Sequence, residues 1–350
     1  MRPHSPSTVR RQARAEWAAA AVTPLLAVAL AGLALAGCAP GPSAALSGAA
    51  FGAWTKPQAI RGANGLDSLS CATPDFCVSL DTSGHSFIWD GRRWSRAIPV
   101  ATSQCTRANP PSCADGNAVS CPAAGFCVAV DVDGAALVMR GRVWSPPVGF
   151  DTQGSPSDVS CATAELCVAV DDNGEASTFN GSSWSAATGT ADDGQLMGVS
   201  CGEPGACMAF DATSYTEVLH GRRWRELGEL SLSTPQGGSE PNSPTSVSCA
   251  TATFCALVDA FGDFLTFNGR SWSGTRTFDD IQLGNAVVSC ASPRYCMIVD
   301  SNGNAIAFDG RTLSSPVRVT SQSDPPQGIA CPRPRSCMAI TSDSFLRQSG

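Results

Sequence analysis

The sequence contains very little histidine and lysine. Lys56 is the only lysine, and of three histidines only His85 and His220 lie beyond the N-terminal segment. These two histidines are far apart in the chain, so we do not expect a Ser-His-Asp triad. The sequence also lacks a P-loop and a G-x-G-x-x-G strand–helix unit. We therefore predict no such catalytic residues, no cofactor and no metal. Its 30 acidic residues leave a paired-carboxylate enzyme open, but no pair stands out.

The N-terminal segment carries the features of an export signal. Four arginines within the first 14 residues precede an apolar run from Ala18 to Leu35. The run ends in Leu35-Ala36-Gly37-Cys38, which resembles the bacterial lipobox. This resemblance implies cleavage before Cys38, acylation of that residue, and a lipid-anchored protein on the extracytoplasmic side of the cell membrane. An uncleaved membrane anchor is the alternative, which the small residues at the junction disfavour.

We divide the chain into three parts. Residues 1–37 are the predicted signal peptide, 38–51 contain the lipidated cysteine and a flexible linker, and 52–350 form one domain of repeats. The linker after Cys38 has 13 residues. A flexible chain of that length has a root-mean-square reach of roughly 20 Å, so the domain is expected to stay close to the bilayer.

The charge balance of the chain is acidic. The sequence has 23 Lys and Arg against 30 Asp and Glu, a formal net charge of −7. Without residues 1–37 the counts are 19 and 29, and the net charge is −10. Such a balance argues against nucleic acid or anionic lipid as the main partner.

One cassette with a pair of cysteines recurs seven times. Each copy contains Cys-x5-Cys, and successive copies start 40 to 50 residues apart. In the copy from Val159 to Trp184, short β-rich runs alternate with turn sequences such as Asp171-Asp-Asn-Gly174 and Asn180-Gly181. A period near 40 with four strand-like runs per copy is typical of a propeller. We predict an all-β fold, a seven-bladed β-propeller of four-stranded antiparallel blades.

The ends of the repeat domain predict how the ring closes. The seventh copy stops at Gly350, before its fourth strand. The sequence Gly52-Ala-Trp54-Thr55 resembles Gly91-Arg-Arg-Trp94-Ser95, which opens a fourth strand. We therefore expect an N-terminal strand to complete the last blade, which would leave no long unpaired edge. The residue before the first cysteine is serine in six copies and Ala330 in the seventh, as expected for small packing residues near the axis.

Cysteine usage predicts eight disulfide bonds. Apart from Cys38, the 17 cysteines comprise the seven repeat pairs and one pair in an inserted segment. In an exported protein, such pairs are expected to be oxidised. Metal binding is the competing interpretation, and the spacing, the scarcity of histidine and the export signal argue against it. The predicted bonds are Cys71–Cys77, Cys105–Cys113, Cys121–Cys127, Cys161–Cys167, Cys201–Cys207, Cys249–Cys255, Cys290–Cys296 and Cys331–Cys337.

Six aspartates end the second strand of their copies. In a propeller they would form a ring of carboxylates on one face, a candidate site for a cation or a cationic ligand. The alternative is that each aspartate accepts backbone N–H groups of its own turn, which needs no ligand. The six are Asp81, Asp131, Asp171, Asp211, Asp259 and Asp300.

Two enlarged blade-to-blade connections, 96–117 and 226–245, lie on the same predicted face as this ring. Loops on a rigid scaffold often carry binding sites. The chain as a whole resembles exported bacterial lipoproteins with β-propeller repeats, and its composition resembles that of high-GC actinobacteria. We expect a membrane-tethered binding or scaffolding module, with an envelope protein or glycan as its partner. The alternatives are an extracytoplasmic lyase or hydrolase with a site at the propeller mouth, and a purely structural envelope protein.

Replacing Cys38 by serine tests the predicted anchor. The thiol is the expected acylation site, so Cys38→Ser should move the protein from the membrane fraction to the soluble fraction. Fractionation of expressing cells followed by immunoblotting measures this. Retention of the variant in the membrane fraction would contradict lipidation at Cys38.

Overall fold

The computed structural model describes residues 52–100, 118–150, 154–191, 194–233, 242–279 and 284–349. All regular secondary structure in these ranges is β-strand, and the strands form seven antiparallel sheets. None of the described residues belongs to a helix long and apolar enough to cross a membrane.

The first half of the domain contains three blades. Two short strands come first, β1 (Ala53–Trp54) and β2 (Gln58–Ala59). Blade 1 consists of β3 (Leu66–Thr73), β4 (Phe76–Asp81), β5 (His85–Trp89) and β6 (Ile98–Pro99). Blade 2 consists of β7 (Ala118–Ala123), β8 (Phe126–Val130), β9 (Ala135–Arg140), and an outer strand in two pieces, β10 (Val143–Trp144) and β11 (Val148–Gly149). Blade 3 consists of β12 (Pro156–Thr163), β13 (Leu166–Asp171), β14 (Glu175–Phe179) and β15 (Thr188–Gly189).

The second half of the domain contains the remaining four blades. Blade 4 consists of β16 (Leu196–Glu203), β17 (Ala206–Asp211), β18 (Tyr215–His220) and β19 (Arg223–Glu229). Blade 5 consists of β20 (Pro244–Thr251), β21 (Phe254–Asp259), β22 (Asp263–Phe267) and β23 (Arg276–Thr277). Blade 6 consists of β24 (Ala286–Ser292), β25 (Tyr295–Asp300), β26 (Asn304–Phe308) and β27 (Val317–Arg318). Blade 7 consists of β28 (Gly328–Arg333), β29 (Ser336–Ile340) and β30 (Ser344–Ser349), completed by β1 and β2.

The first strands of successive blades contact one another in a closed cycle. The cycle runs β3, β7, β12, β16, β20, β24, β28 and back to β3. The chain is a seven-bladed β-propeller. Its core is the set of apolar layers between neighbouring blades, such as Val78 and Ile88 of blade 1 against Val119 and Leu137 of blade 2.

The N-terminal strand closes the ring as predicted. Ala53 and Trp54 pair with Ser349 and Gln348 of β30. Thr55 continues this pairing in the manner of the serine that follows the tryptophan in other blades. Its N–H donates to the Arg347 carbonyl at 2.8 Å, and its hydroxyl accepts the Arg347 N–H at 2.9 Å.

A serine hydroxyl explains why most outer strands are short. In blade 1, the Ser95 N–H donates to the Ile88 carbonyl, while the Ser95 Oγ accepts the Ile88 N–H at 3.0 Å. The side chain thus replaces a backbone carbonyl, and the chain leaves the ladder. The same bond recurs at Ser145, Ser185, Ser273 and Ser314. Blade 4 has Arg225 at this position, and its outer strand β19 pairs over seven residues.

A second set of serines links neighbouring blades near the axis. Each hydroxyl accepts the N–H of the first cysteine of the next blade, at 2.8 to 2.9 Å. The sequence predicted only that these serines are small packing residues. The structure shows that they also form hydrogen bonds between blades. At the junction of blades 7 and 1, Ala330 has no hydroxyl to offer Cys71. The six donor and acceptor pairs are Cys121 to Ser70, Cys161 to Ser120, Cys201 to Ser160, Cys249 to Ser200, Cys290 to Ser248 and Cys331 to Ser289.

The seven repeat disulfides are present. Each joins the first and second strands of one blade across their hairpin, with Cα atoms 3.9 to 4.1 Å apart. The predicted bond Cys105–Cys113 lies outside the described residues.

The six serines that link neighbouring blades, here called the serine belt, lead to a prediction about stability. Ser289→Ala should lower the free energy of unfolding by about 1 kcal/mol, because a part-buried N–H loses its acceptor. Ala330→Ser should raise it by a similar amount by supplying the seventh bond. Urea unfolding monitored by circular dichroism measures both changes, with the exposed loop variant Ser323→Ala as the control. Equal midpoints for Ser289→Ala and the unmodified protein would refute a stabilising role for the belt.

Candidate functional site

The six predicted aspartates all lie at the end of a second strand, and each is almost completely buried, with 0 to 3% of its surface exposed. In each case Oδ1 accepts backbone N–H groups from the turn that follows. For Asp259 the donors are Phe261 and Asp263, both at 2.9 Å. Asp81, Asp131, Asp171 and Asp211 make the same pair of bonds, and Asp300 accepts the N–H of Asn304 at 2.9 Å. These carboxylates therefore hold their own turns.

The second carboxylate oxygens differ among the blades. Asp211 Oδ2 accepts the Thr213 hydroxyl, and Asp259 Oδ2 accepts the Asn242 side-chain amide, both at 2.7 Å. The Oδ2 atoms of Asp81, Asp131 and Asp300 receive no hydrogen bond from the part of the chain that the structure describes. That part also contains no group of three His, Cys, Asp or Glu side chains suited to a metal ion. A binding role for the ring stays a prediction.

Blade 6 brings a second carboxyl group close to the ring. Asp279 Oδ2 accepts the side-chain amides of Asn302 at 3.1 Å and Asn304 at 2.7 Å. Burial, together with the neighbouring Asp279 carboxyl group, raises the pKa of Asp300 to about 6, against a lowering effect of the Asn304 N–H. Burial likewise raises the pKa of Asp158, whose Oδ2 accepts the Val199 N–H of the next blade, to about 6.

The base of the second enlarged connection is fixed by one buried amide. Asn242 donates from Nδ2 to the Ser233 carbonyl at 2.8 Å and to Asp259 Oδ2 at 2.7 Å. It therefore joins the two ends of the segment 234–241. That segment and residues 101–117 of the first connection lie outside the described ranges.

Two grooves open at the outer edges of the propeller, each with a volume of about 590 Å³. The 2/3 groove lies between blades 2 and 3. It is lined by Val148–Phe150, residues 181–186, and side chains of β9 and β14. Phe150 stacks on Trp184 with ring centroids 4.4 Å apart, and Val148 at the rim is 58% exposed.

The 6/7 groove occupies the corresponding place between blades 6 and 7. Its walls are residues 52–57 on one side and Val317–Val319 on the other. Val317 is 40% exposed, and Lys56 and Arg318 are exposed cations on its two walls. Neither groove contains an acidic residue among its lining side chains.

Two tryptophans donate to a hydroxyl group of the preceding blade. In both cases the acceptor is the second residue of the third strand of that blade. Trp144 Nε1 donates to Ser86 Oγ at 2.8 Å, and Trp272 Nε1 donates to Thr216 Oγ1 at 3.0 Å. At the two grooves this residue is alanine, Ala136 or Ala305, which has no hydroxyl group to offer the next indole. Blade 3 has alanine at the same position, Ala176, without a described groove, so this residue alone does not determine where a groove forms. The sequence therefore did not predict the grooves.

The comparisons with known proteins support the fold. No family model and no curated protein matches the sequence. A solved structure of YCF48 bound to a D1 peptide superposes with a TM-score of 0.65 at 14% identity, over 85% of this chain and 97% of that one. YCF48 from Cyanidioschyzon merolae superposes with a TM-score of 0.61 at 15% identity, over 85% and 98%. A streptogramin B lyase superposes with a TM-score of 0.68 at 7% identity, over 85% and 97%. At these identities the likeness shows the propeller fold alone.

The Asp279–Asp300 pair makes a pH prediction. Because the folded-state pKa of Asp300 is raised, its stabilising contribution is complete below about pH 4 and is lost as pH rises through 6. Asp279→Asn removes the neighbouring charge and should lower the pKa of Asp300. Scanning calorimetry between pH 5 and 7.5 should therefore show a smaller gain in melting temperature on acidification for the variant than for the unmodified protein. Asp343→Asn, at an exposed carboxylate, is the control, and parallel curves for all three proteins would contradict the coupling.

Proposed function

We propose that this protein is a lipid-anchored, extracytoplasmic scaffold whose propeller binds an apolar, extended segment of a partner protein in the 2/3 groove. The observation that carries the proposal is the exposed apolar rim of this groove over a stacked aromatic pair. Val148 is 58% exposed, and beside it Phe150 and Trp184 stack at 4.4 Å.

The groove has the properties of a preformed binding cleft. Trp184 contacts Phe179 as well as Phe150, with the Phe179 ring centroid at 5.3 Å, so its indole is held on two sides. Arg140 crosses the seam and donates to the Gly181 carbonyl at 3.2 Å. A rigid apolar floor with a few polar groups at its edge costs little to order on binding. It is suited to one or two apolar side chains of a peptide.

The carboxylate ring supports binding outside the propeller mouth. Its Oδ1 atoms are occupied by backbone donors of their own turns, which gives these carboxylates a structural task. YCF48, which shares the fold, was solved bound to a D1 peptide, so a propeller of this architecture accommodates a peptide. Streptogramin B lyase shares the fold too, and the fold alone does not choose between binding and catalysis.

The predicted anchor fits the same role. Acylation of Cys38 would hold the propeller at the membrane through a linker of 13 residues.

A pair of exposed valines on blade 2 tests the groove. Val148 lines it, whereas Val143, which is 72% exposed, does not. A photo-crosslinking amino acid at position 148 should capture one recurrent protein in intact cells, and the same probe at 143 should not. Val148→Glu should reduce capture by a probe at position 186 at least ten-fold, because a carboxylate would enter an apolar contact. Val143→Glu should leave it unchanged.

Two outcomes would overturn this proposal. Equal capture at 148 and 143 would show that the groove does not select a partner. Capture of a glycan instead of a protein at position 148 would indicate that the aromatic floor of the groove and its serines bind a sugar ring.

A further inference from the structure

The basic residues of this acidic protein are concentrated in one sector. Residues 52–65 and 284–350, which contain blades 6 and 7, have eight basic and four acidic residues. Residues 66–283 have 11 basic and 25 acidic residues. The cationic sector, defined as 52–65 and 284–350, therefore carries a net charge of +4, against −14 for the rest of the repeat domain.

Almost all of the exposed charged side chains in the cationic sector are positive. All eight basic side chains are exposed, whereas Asp300 is buried, Asp309 and Asp324 are half-buried, and only Asp343 is exposed. Lys56 and Arg318 form no ion pair with a carboxylate of the described chain. The eight are Lys56, Arg61, Arg294, Arg311, Arg318, Arg333, Arg335 and Arg347.

The chain enters the propeller in this sector. The linker 39–51 is followed directly by Gly52, the first residue of the 6/7 groove wall. If Cys38 carries the lipid, a linker with a reach of roughly 20 Å holds this edge closer to the bilayer than any other. The sole lysine, Lys56, lies five residues beyond the end of the linker.

We infer that the outer edge of blades 6 and 7 is a second membrane contact, at which Lys56, Arg318 and their neighbours bind anionic phospholipid headgroups. The inference rests on the proposed lipid anchor, because the anchor supplies the proximity. One lipid chain and a basic patch together bind a membrane far more stably than either alone. The whole-chain charge of −7 conceals this contact, because 25 of the 30 acidic residues lie in 66–283.

This contact gives the propeller an orientation. The 6/7 groove and the 2/3 groove lie four blades apart in a ring of seven, so they are on opposite sides of the axis. With the cationic sector against the headgroups, the 2/3 groove faces away from the membrane. A partner bound there would be held at the far side of the propeller.

Lipid crosslinking in proteoliposomes tests the contact. The full lipidated protein is reconstituted in vesicles of phosphatidylcholine, with or without 30% phosphatidylglycerol, and carries a photo-crosslinking amino acid at position 317 or 148. We expect lipid adducts at 317 to exceed those at 148 at least five-fold in the anionic vesicles. High salt should remove the excess, because screening weakens the headgroup contact.

Charge reversal supplies the matched comparison. Lys56→Glu with Arg318→Glu should abolish the excess at 317. Arg142→Glu with Arg222→Glu changes the net charge equally, at exposed hairpin turns of blades 2 and 4, and should preserve it. Equal adduct yields at 317 and 148, or equal yields with and without phosphatidylglycerol, would overturn the inference. Crosslinking of 317 to a protein in intact cells would reassign the sector to an acidic protein partner.

A failed anchor gives a different result from a failed contact. Without lipidation the protein would not cofloat with vesicles of either composition. With lipidation but no contact it would cofloat with both and show no preference at 317.

Discussion

The propeller depends on one hydrogen bond repeated between blades, from the amide of a first cysteine to the serine hydroxyl of the blade before it. The cysteine that donates this bond is also linked by a disulfide to the next strand of its own blade. A single residue therefore fixes both the hairpin and its neighbour. Six of the seven blade junctions are joined in this way near the axis. Tryptophan and aliphatic side chains fill the space between blades further out.

Local periodic features of the sequence predicted the fold well. The cysteine spacing, the turn dipeptides and Trp54-Thr55 each depend on residues within one repeat, and all agree with the structure. The 2/3 groove is instead lined by residues such as Ala136 and Trp184, which belong to different repeats and come together only when the blades stand side by side. A list of motifs cannot show such a pair. For the aspartates, the sequence allowed a ligand ring or a set of turn caps, and only the hydrogen bonds show that each carboxylate serves its own turn.

The net charge of the chain also says little about binding unless the positions of the charges are known. The acidic total argued against an anionic surface as a partner, yet electrostatic contact depends on where charges lie on the folded surface. The lysine and most of the arginines of the last third of the chain belong to blades 6 and 7, where the linker joins the propeller. Most of the acidic residues belong to the other blades. The proposed anchor and the proposed partner groove would then act at opposite edges of one rigid body.

The serine that replaces a carbonyl in the outer ladder also limits strand pairing between molecules of this protein. A long open outer strand is a template for a strand of another molecule, and lipid anchoring would confine many copies to one plane. In most blades the ladder is interrupted after the tryptophan, so little regular edge is available for pairing. Blade 4 has the full-length edge, and there Arg225, Glu226 and Glu229 are exposed beside a bulge at Leu227. A crowded population of these propellers should therefore remain separate at their rims.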